Sequence, residues 1–241
     1  MSIWPGILHL ESLNSGYSFS PALESGIGNL LLVARIREDE NEDKVWAAIE
    51  GSLQTLTSKG IIPLYLSKRA HHMDSGLIVS APSNEVLFDA LIDILAGVRS
   101  ADGLWIFPLV KPKFFDVPTN VGKDASRFLI TITTRPSDAM KVYNAISSFR
   151  QTSDLSMTYL AFTCQRYCDT LTLSVFAKSN DHVNRFVEQE LNVVEGISRT
   201  TITPMTKSKR LLPYAEMVRV LRKEVGDIDI ARPMMDLSDL Q

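Results

Sequence analysis

Apolar positions along this chain switch between a period of two and a period near 3.6, and they do so twice in the same order. Residues 30–37 (LLLVARIR) begin as an apolar run and end in alternation, the pattern of a strand. Val45, Ile49, Leu53 and Leu56 then recur at helical spacing. They follow the acidic stretch 38–43, whose charge suits a helix N-terminus. Gly60 closes that helix. Residues 61–67 and 77–81 read as strands around a turn at 71–76. Ser83 or Asn84 caps a helix carrying Val86, Leu87, Leu91, Ile94 and Leu95. Residues 104–110 make a fourth strand.

The stretch 112–125, with two prolines and a glycine, reads as a linker, and the order then returns. Residues 128–134 are strand-like, and Pro136 can occupy a first helical turn. Val142, Ala145, Ile146 and Phe149 form one helix face. Residues 155–162 and 170–177 are strands, and Ser179 caps a helix with Val183, Phe186, Val187 and Leu191. Residues 197–205 form the last strand. A further amphipathic helix is expected over 214–225, ended by Gly226, before an acidic tail.

Direct comparison confirms a repeat. Shifted by 96 positions, residues 79–115 match residues 175–211 at ten of 37 positions, among them Val79/Val175, Ala81/Ala177, Ser83/Ser179, Asn84/Asn180, Pro108/Pro204 and Lys111/Lys207. An internal repeat means two copies of one supersecondary unit. The β-α-β-β-α-β order is the ferredoxin-like arrangement, with helices on one sheet face only. The expected fold class is therefore α+β. Two tandem ferredoxin-like βαββαβ units would pack sheet to sheet as an intrachain, dimeric α/β barrel-like pseudo-dimer. The expected boundaries are an irregular leader at 1–27, a first module at 28–115, a linker at 116–125, a second module at 126–210, and a C-terminal helix and tail at 211–241.

Composition narrows the function classes. The chain has 241 residues, 45% hydrophobic and 22% charged, with a net charge of −3. That balance gives no prior for nucleic acid, whose binding domains carry a basic face. No apolar run reaches the ~20 residues of a membrane-spanning helix. No basic segment precedes an apolar core at the start, so a secretory signal is not expected. Cys164 and Cys168 are too few for a disulfide framework. The expected location is cytoplasmic. The leader is too short and too rich in glycine and serine for a helix-turn-helix, so direct, sequence-specific DNA binding is not expected.

Few residues stand out chemically. His71 and His72 are adjacent, and neighbours in a strand point to opposite faces, so no metal site is expected there. His9 and His182 are isolated, and His182 falls in a helix's first turn. Lys207, Lys209 and Arg210, with Lys111 and Lys113 in the first copy, give matched basic exits from the last strands. Such charges serve either as a solvated surface or as phosphate contacts. Trp46, Trp105 and Tyr143 read as packing residues, Trp46 and Tyr143 at equivalent helix positions. There is no phosphate loop, nucleophile elbow or H-E-x-x-H pattern. No catalytic residue and no cofactor is assigned.

The end of the second copy, FVEQELNVVEGISRTTIT, carries Gly196, Ile197 and Thr200. These residues resemble the Gly-Val-x-x-Thr pattern of the effector-binding and assembly (RAM) domain of the leucine-responsive regulator/AsnC family. Tyr167-Cys168-Asp169 before LTLSVFA resembles that family's Gly-x-Tyr-Asp hairpin entry, with Arg166 where the glycine would stand. His72-Met73-Asp74 before GLIVSA is a weaker counterpart in the first copy. The resemblance implies a small-molecule effector, typically an amino acid, bound near Asp169, Thr200 and Asp74. It also implies a homo-oligomer, a dimer of chains, working in transcription through a DNA-binding partner protein. Two readings of Asp74 and Asp169 stay open: a carboxylate that holds an effector amine, or a turn residue bonding its own backbone. The expected function is thus a non-catalytic sensing or assembly protein, with no membrane partner. The alternative is an enzyme of the dimeric α/β-barrel type with a cavity for haem or an aromatic substrate.

Overall fold

The structure is a computed structural model and describes residues 30–38, 43–70, 74–115, 125–152, 154–163 and 170–212. The leader, His71, His72, Cys164, Cys168, Asp169 and the helix expected at 214–225 lie outside the described residues. Eight strands and a few short helices make an α+β fold: β1 (Leu30–Glu38), α1 (Lys44–Gly51), α2 (Leu53–Ser58), β2 (Ile62–Arg69), β3 (Asp74–Ala81), α3 (Asn84–Leu95), β4 (Ala101–Phe114), β5 (Ser126–Thr134), α4 (Ala139–Ser147), β6 (Leu155–Thr163), β7 (Thr170–Ala177), α5 (Asn180–Phe186) and β8 (Ile197–Arg210). A π-helical turn, Val187–Leu191, continues α5. No described helix is long and apolar enough to cross a membrane.

Two compact units share this chain, divided within β4 and β8. The first holds the described residues up to Val110 together with 204–212, and its strand order is β4-β1-β3-β2 followed by the end of β8. The second holds 111–203, ordered from the start of β8 through β5, β7 and β6 to the end of β4. β4 and β8 each have 14 residues, longer than the apolar pattern of 104–110 and 197–205 suggested. Polar continuations such as KPKF and KSKR join a strand because backbone pairing is available to them. Leu211 N–H donates to the Leu64 carbonyl in the first unit, and Phe115 N–H to the Thr158 carbonyl in the second.

The repeat governs register as well as order. β1 pairs with β3 from Leu30↔Ala81 to Arg37↔Asp74, and β5 with β7 from Ser126↔Ala177 to Thr133↔Thr170, every position displaced by the same 96. β2 and β6 each carry a one-residue irregularity, between Pro63 and Tyr65 and between Met157 and Tyr159. The tyrosine after each irregularity stands at the same place in its unit, offset by 94. Ser83 and Ser179 hold matching extended conformations and accept hydrogen bonds from Val86 and His182 N–H. Each satisfies an orphan donor of its helix.

One sheet face of each unit carries the helices and the core. Leu32, Ala34, Ile36, Leu66, Leu77 and Val79 pack on Val45, Ile49, Leu56, Leu87 and Leu91 in the first unit. Phe128, Ile130, Ile132, Leu171, Leu173 and Val175 pack on Val142, Ile146, Val183 and Leu191 in the second. The apolar stripe 45–56, which suggested one helix, is two helices broken at Ser52. Its hydrophobic positions still face the core, because α1 and α2 bury Ile49 and Leu56 on the same cluster.

On the helix side, charges gather at the start of α1. Glu38 is buried and its Oε1 accepts the Val45 N–H at 2.8 Å. Lys68 Nζ lies 3.2 Å from Glu38 and 2.7 Å from Asp43, and Lys207 Nζ lies 2.8 Å from Asp43. Hydrogen bonds from Lys207 and Lys68 hold the Asp43 carboxyl below its usual 3.8. For Lys68, burial opposes the charge, but the Asp43 and Glu38 contacts outweigh it and raise the ammonium above its usual value. A depressed carboxyl stabilises the fold fully above its unfolded value and loses that contribution as pH falls through the folded one. Acid titration of melting temperature should therefore be shallower for Asp43→Asn than for the parent below about pH 4. Parallel curves would remove Asp43 from this role. The effect is small, since Asp43 is half exposed and water screens it.

Candidate functional site

Side chains alternate across a strand, so residues between the core positions face away from the helices. On β1 these are Leu31, Val33, Arg35 and Arg37, and across the register from them stand Ser80, Ile78, Gly76 and Asp74 on β3. Tyr65, Ser67 and Arg69 on β2 share this face. On β4 it carries Gly103, Trp105 and Phe107, opposite Arg37, Arg35 and Val33. A strand face with no helix on it is usually covered by apolar residues or exposed with scattered polar ones. This one gathers ions and aromatic rings.

Asp74 is the centre of the group. The Arg69 Nε donates to its Oδ1 at 2.6 Å, and Arg69 Nη2 donates to Oδ2, a fork on one carboxylate. Arg35 Nη1 lies 4.0 Å from the same Oδ2. The side chains are 15% (Arg35), 16% (Arg69) and 9% (Asp74) exposed, so the cluster is largely withdrawn from water but not sealed. Arg37 turns instead to Asp102, with Nε and Nη2 at 2.7 and 2.5 Å from its two oxygens. Arg35 lies 5.8 Å from the Phe107 ring centroid and Arg37 5.9 Å from that of Trp105. Two cation–ring pairs thus lie side by side on neighbouring strands.

The second unit supplies an internal control. At the fixed displacement of 96, Arg35, Arg37 and Asp74 correspond to Thr131, Thr133 and Thr170, and at the β2/β6 displacement of 94 Arg69 corresponds to Thr163. All four charges of the first copy are threonines in the second. There Thr163 Oγ1 contacts Thr172 Oγ1 at 3.1 Å and donates to the Thr170 carbonyl at 3.4 Å. Asp102 has Ser198 as its counterpart, whose hydroxyl donates to the Thr133 carbonyl at 3.0 Å. Trp105 and Phe107 are matched by Thr201 and Thr203. One strand order and one register therefore accept either ions and rings or hydroxyls on this face. Burying ions costs desolvation that hydroxyls avoid, so fold stability does not demand them.

Among its described residues the second unit carries a buried ion of its own on this face, Arg127. Arg127 Nε donates to Ser174 Oγ at 2.9 Å, and its guanidinium lies 5.5 Å from the Phe176 ring. Burial pulls its pKa down to about 10, with Tyr159 opposing. Its counterpart in the first copy is Leu31, so this charge too is replaceable by the scaffold.

Of the residues singled out from sequence, Asp74 belongs to the first-unit cluster and Thr200 to the second unit. Asp169 lies outside the described residues. Asp74 stands inside β3, not in a turn before it, and its carboxylate faces two guanidinium groups. Thr200 is half-buried and donates to Asn192 Oδ1 at 3.0 Å. The basic exits are tied down within their units: Lys207 to Asp43, Lys209 to Glu50, and Lys113 to the Ser147 carbonyl. Trp46 is the buried packing residue expected, whereas Trp105 is half exposed. The residues missed were Arg35, Arg37, Arg69 and Trp105. Their signal was present as charged or aromatic positions in one copy set against threonines in the other.

Haem would require an axial ligand beside a cavity. His182 does not fit that role, because its Nδ1 lies 2.7 Å from Ser179 Oγ in the cap of α5, and the described helix-free faces carry no histidine. No group of three or more His, Cys, Asp or Glu that could hold a metal ion occurs among the described residues.

No protein-family model and no curated protein matches the chain. Solved structures do resemble it. A candidate monooxygenase from Lactobacillus acidophilus NCFM superposes with a TM-score of 0.49 at 9% identity, covering 74% of this chain and 93% of the other. An anthrone oxidase-like protein gives 0.46 at 7% identity, over 77% and 94% of the two chains. A chlorite dismutase variant from Candidatus Nitrospira defluvii gives 0.44 at 10%, over 80% and 95%.

None of these three is a leucine-responsive regulator/AsnC protein, and the regulator resemblance is corrected accordingly. With it go the transcriptional role, the RAM-domain assignment and the non-catalytic sensing function. The matched motif has a simpler cause. Gly196 holds φ +101°, and a Cβ there would lie 2.5 Å from Asp138 Cβ. Ile197 packs on the core and Thr200 bonds Asn192. Gly-Ile-x-x-Thr thus meets the needs of a helix-to-strand turn, which βαββαβ units of unrelated function share.

Proposed function

We propose that the chain is an enzyme whose substrate is a small organic anion, or becomes one as it reacts, held on the helix-free face of the first unit. The replacement of Arg35, Arg37, Arg69 and Asp74 by four threonines in the duplicate copy carries this reading. Charges that the scaffold does not need are kept for what they bind. Arg69 and Arg35 supply fixed positive charge in partly desolvated surroundings, where a developing anion is stabilised more than in water. Asp74 orients the two guanidinium groups and so reduces the reorganisation needed when substrate arrives. Its role here is to position the cations rather than to hold an amine.

The experiment is a thermal-shift panel of small organic acids paired with their neutral amides. Binding to the folded state raises apparent stability by about 2.7 kcal/mol at a hundredfold excess over Kd. The acids should raise the melting temperature and the amides should not. Equal shifts with acids and amides, or no acid that shifts the parent protein, would remove the anion site.

A further inference from the structure

Trp105 is a large aromatic side chain that the core leaves out, on a strand rather than on a helix surface as Phe88 is: Leu104 and Ile106 on either side of it pack inward, while Trp105 faces away and is 50% exposed. Leaving an indole half in water forgoes much of the gain from burying it. Its position is nonetheless closely fixed. A Cβ on Gly103 would fall 2.6 and 2.8 Å from two carbons of the indole's six-membered ring, so the ring lies along its own strand in the hollow that the glycine leaves. Arg37 holds it from β1, and the two-toothed Asp102 contact fixes the Arg37 guanidinium in turn. A glycine, a cation and an orienting carboxylate thus keep one ring flat, with Arg37 itself 53% exposed beside it. At the matching places the second copy has Arg199, Thr133, Ser198 and Thr201, and no such platform.

From this we infer that Trp105, seated on Gly103 with the Arg37 guanidinium 5.9 Å from its ring centroid, is a stacking subsite for a planar aromatic acid, the ring lying on the indole and the anionic group directed toward the arginines of β1. The inference rests on the anion-site reading above and adds to it the shape of the substrate. A flat, fixed indole offers contact area at little entropic cost. Arg37 makes the surroundings of that surface cationic, so a planar anion satisfies both features where a neutral ring or a compact anion satisfies one. The register places Trp105 opposite Arg35. The stacking surface is therefore continuous with the Arg35–Asp74–Arg69 group.

Calorimetric titration of the full chain with three probes tests it: 2-naphthoate, 2-naphthamide and cyclohexanecarboxylate. The parent protein should bind naphthoate at least tenfold more tightly than either of the others. Trp105→Ala, a change at a half-exposed position, should remove that advantage and leave cyclohexanecarboxylate unaffected. Gly103→Ala, which keeps the indole but fills its hollow, should weaken naphthoate alone. Arg37→Met should weaken naphthoate about tenfold, within the range of cation–ring and charge contacts. If cyclohexanecarboxylate binds through Arg69 and naphthoate gains nothing from Trp105, stacking is overturned while the anion site stands. If naphthoate depends on Trp105 but not on Arg35 or Arg69, the anion site fails and the platform stands alone. Self-association abolished by Trp105→Ala, with no probe binding, would make the indole a contact between copies and overturn the proposal.

Discussion

Asp74→Ala should lower stability by about 3–5 kcal/mol, the cost of removing one partner from a buried ion group. The substitution leaves Arg69 and Arg35 facing each other, both mostly withdrawn from water, with no carboxylate between them. A loss of that size shifts the melting temperature of a chain of this length by on the order of 10 °C. The cavity left by so small a side chain accounts for little of it, so Asp74→Asn, which keeps the shape, should be destabilising too. Denaturant unfolding of the two variants beside the parent checks this. A change below about 1 kcal/mol for both would show that the Arg69 fork is solvated, and that the face is not a desolvated site.

Replacing the whole group should give the opposite outcome for stability and the largest outcome for function. The quadruple variant Arg35→Thr, Arg37→Thr, Arg69→Thr and Asp74→Thr copies onto the first unit what the second already carries. When Arg35, Arg69 and Asp74 leave together, no buried charge among them is stranded; Asp102 loses Arg37 but at a position water reaches, and hydroxyls can bond across the strands as Thr163 and Thr172 do. The variant should fold with stability within about 1–2 kcal/mol of the parent. It should lose anion binding by a hundredfold or more, since each charged hydrogen bond contributes about 1.5–3 kcal/mol. A variant that fails to fold would show that the charges serve the scaffold. A folded variant that retains ligand affinity and turnover would place the site elsewhere.

Legibility in the sequence followed the range of the forces involved. Alternation at 30–37 and 170–177, helical spacing at 86–95, and the caps Ser83 and Ser179 are local patterns, and the structure shows the corresponding elements. The ends of β4 and β8 were not legible. KPKF and KSKR are polar and join strands because a partner backbone, distant in sequence, meets them. Asp74 fell within the turn expected at 71–76 because the apolar run of that strand begins only at Leu77. The cross-strand pairing with Arg37 and Arg69 carries β3 back to include it. Trp105 read as packing because tryptophan usually is. Which face a strand residue occupies depends on which of its neighbours meets the helices, and Leu104 and Ile106 took that side.

The sequence by itself determined the duplication and the β-α-β-β-α-β order. Alternation also constrains strand register, because a one-residue slip would move every core position to the opposite face. Only the tertiary structure decided which charges are neighbours. Arg35, Arg69, Asp74 and Trp105 come from four different strands, and no sequence window contains all four. Their meeting is a consequence of strand order, and of a helix-free face that the second copy fills with threonine.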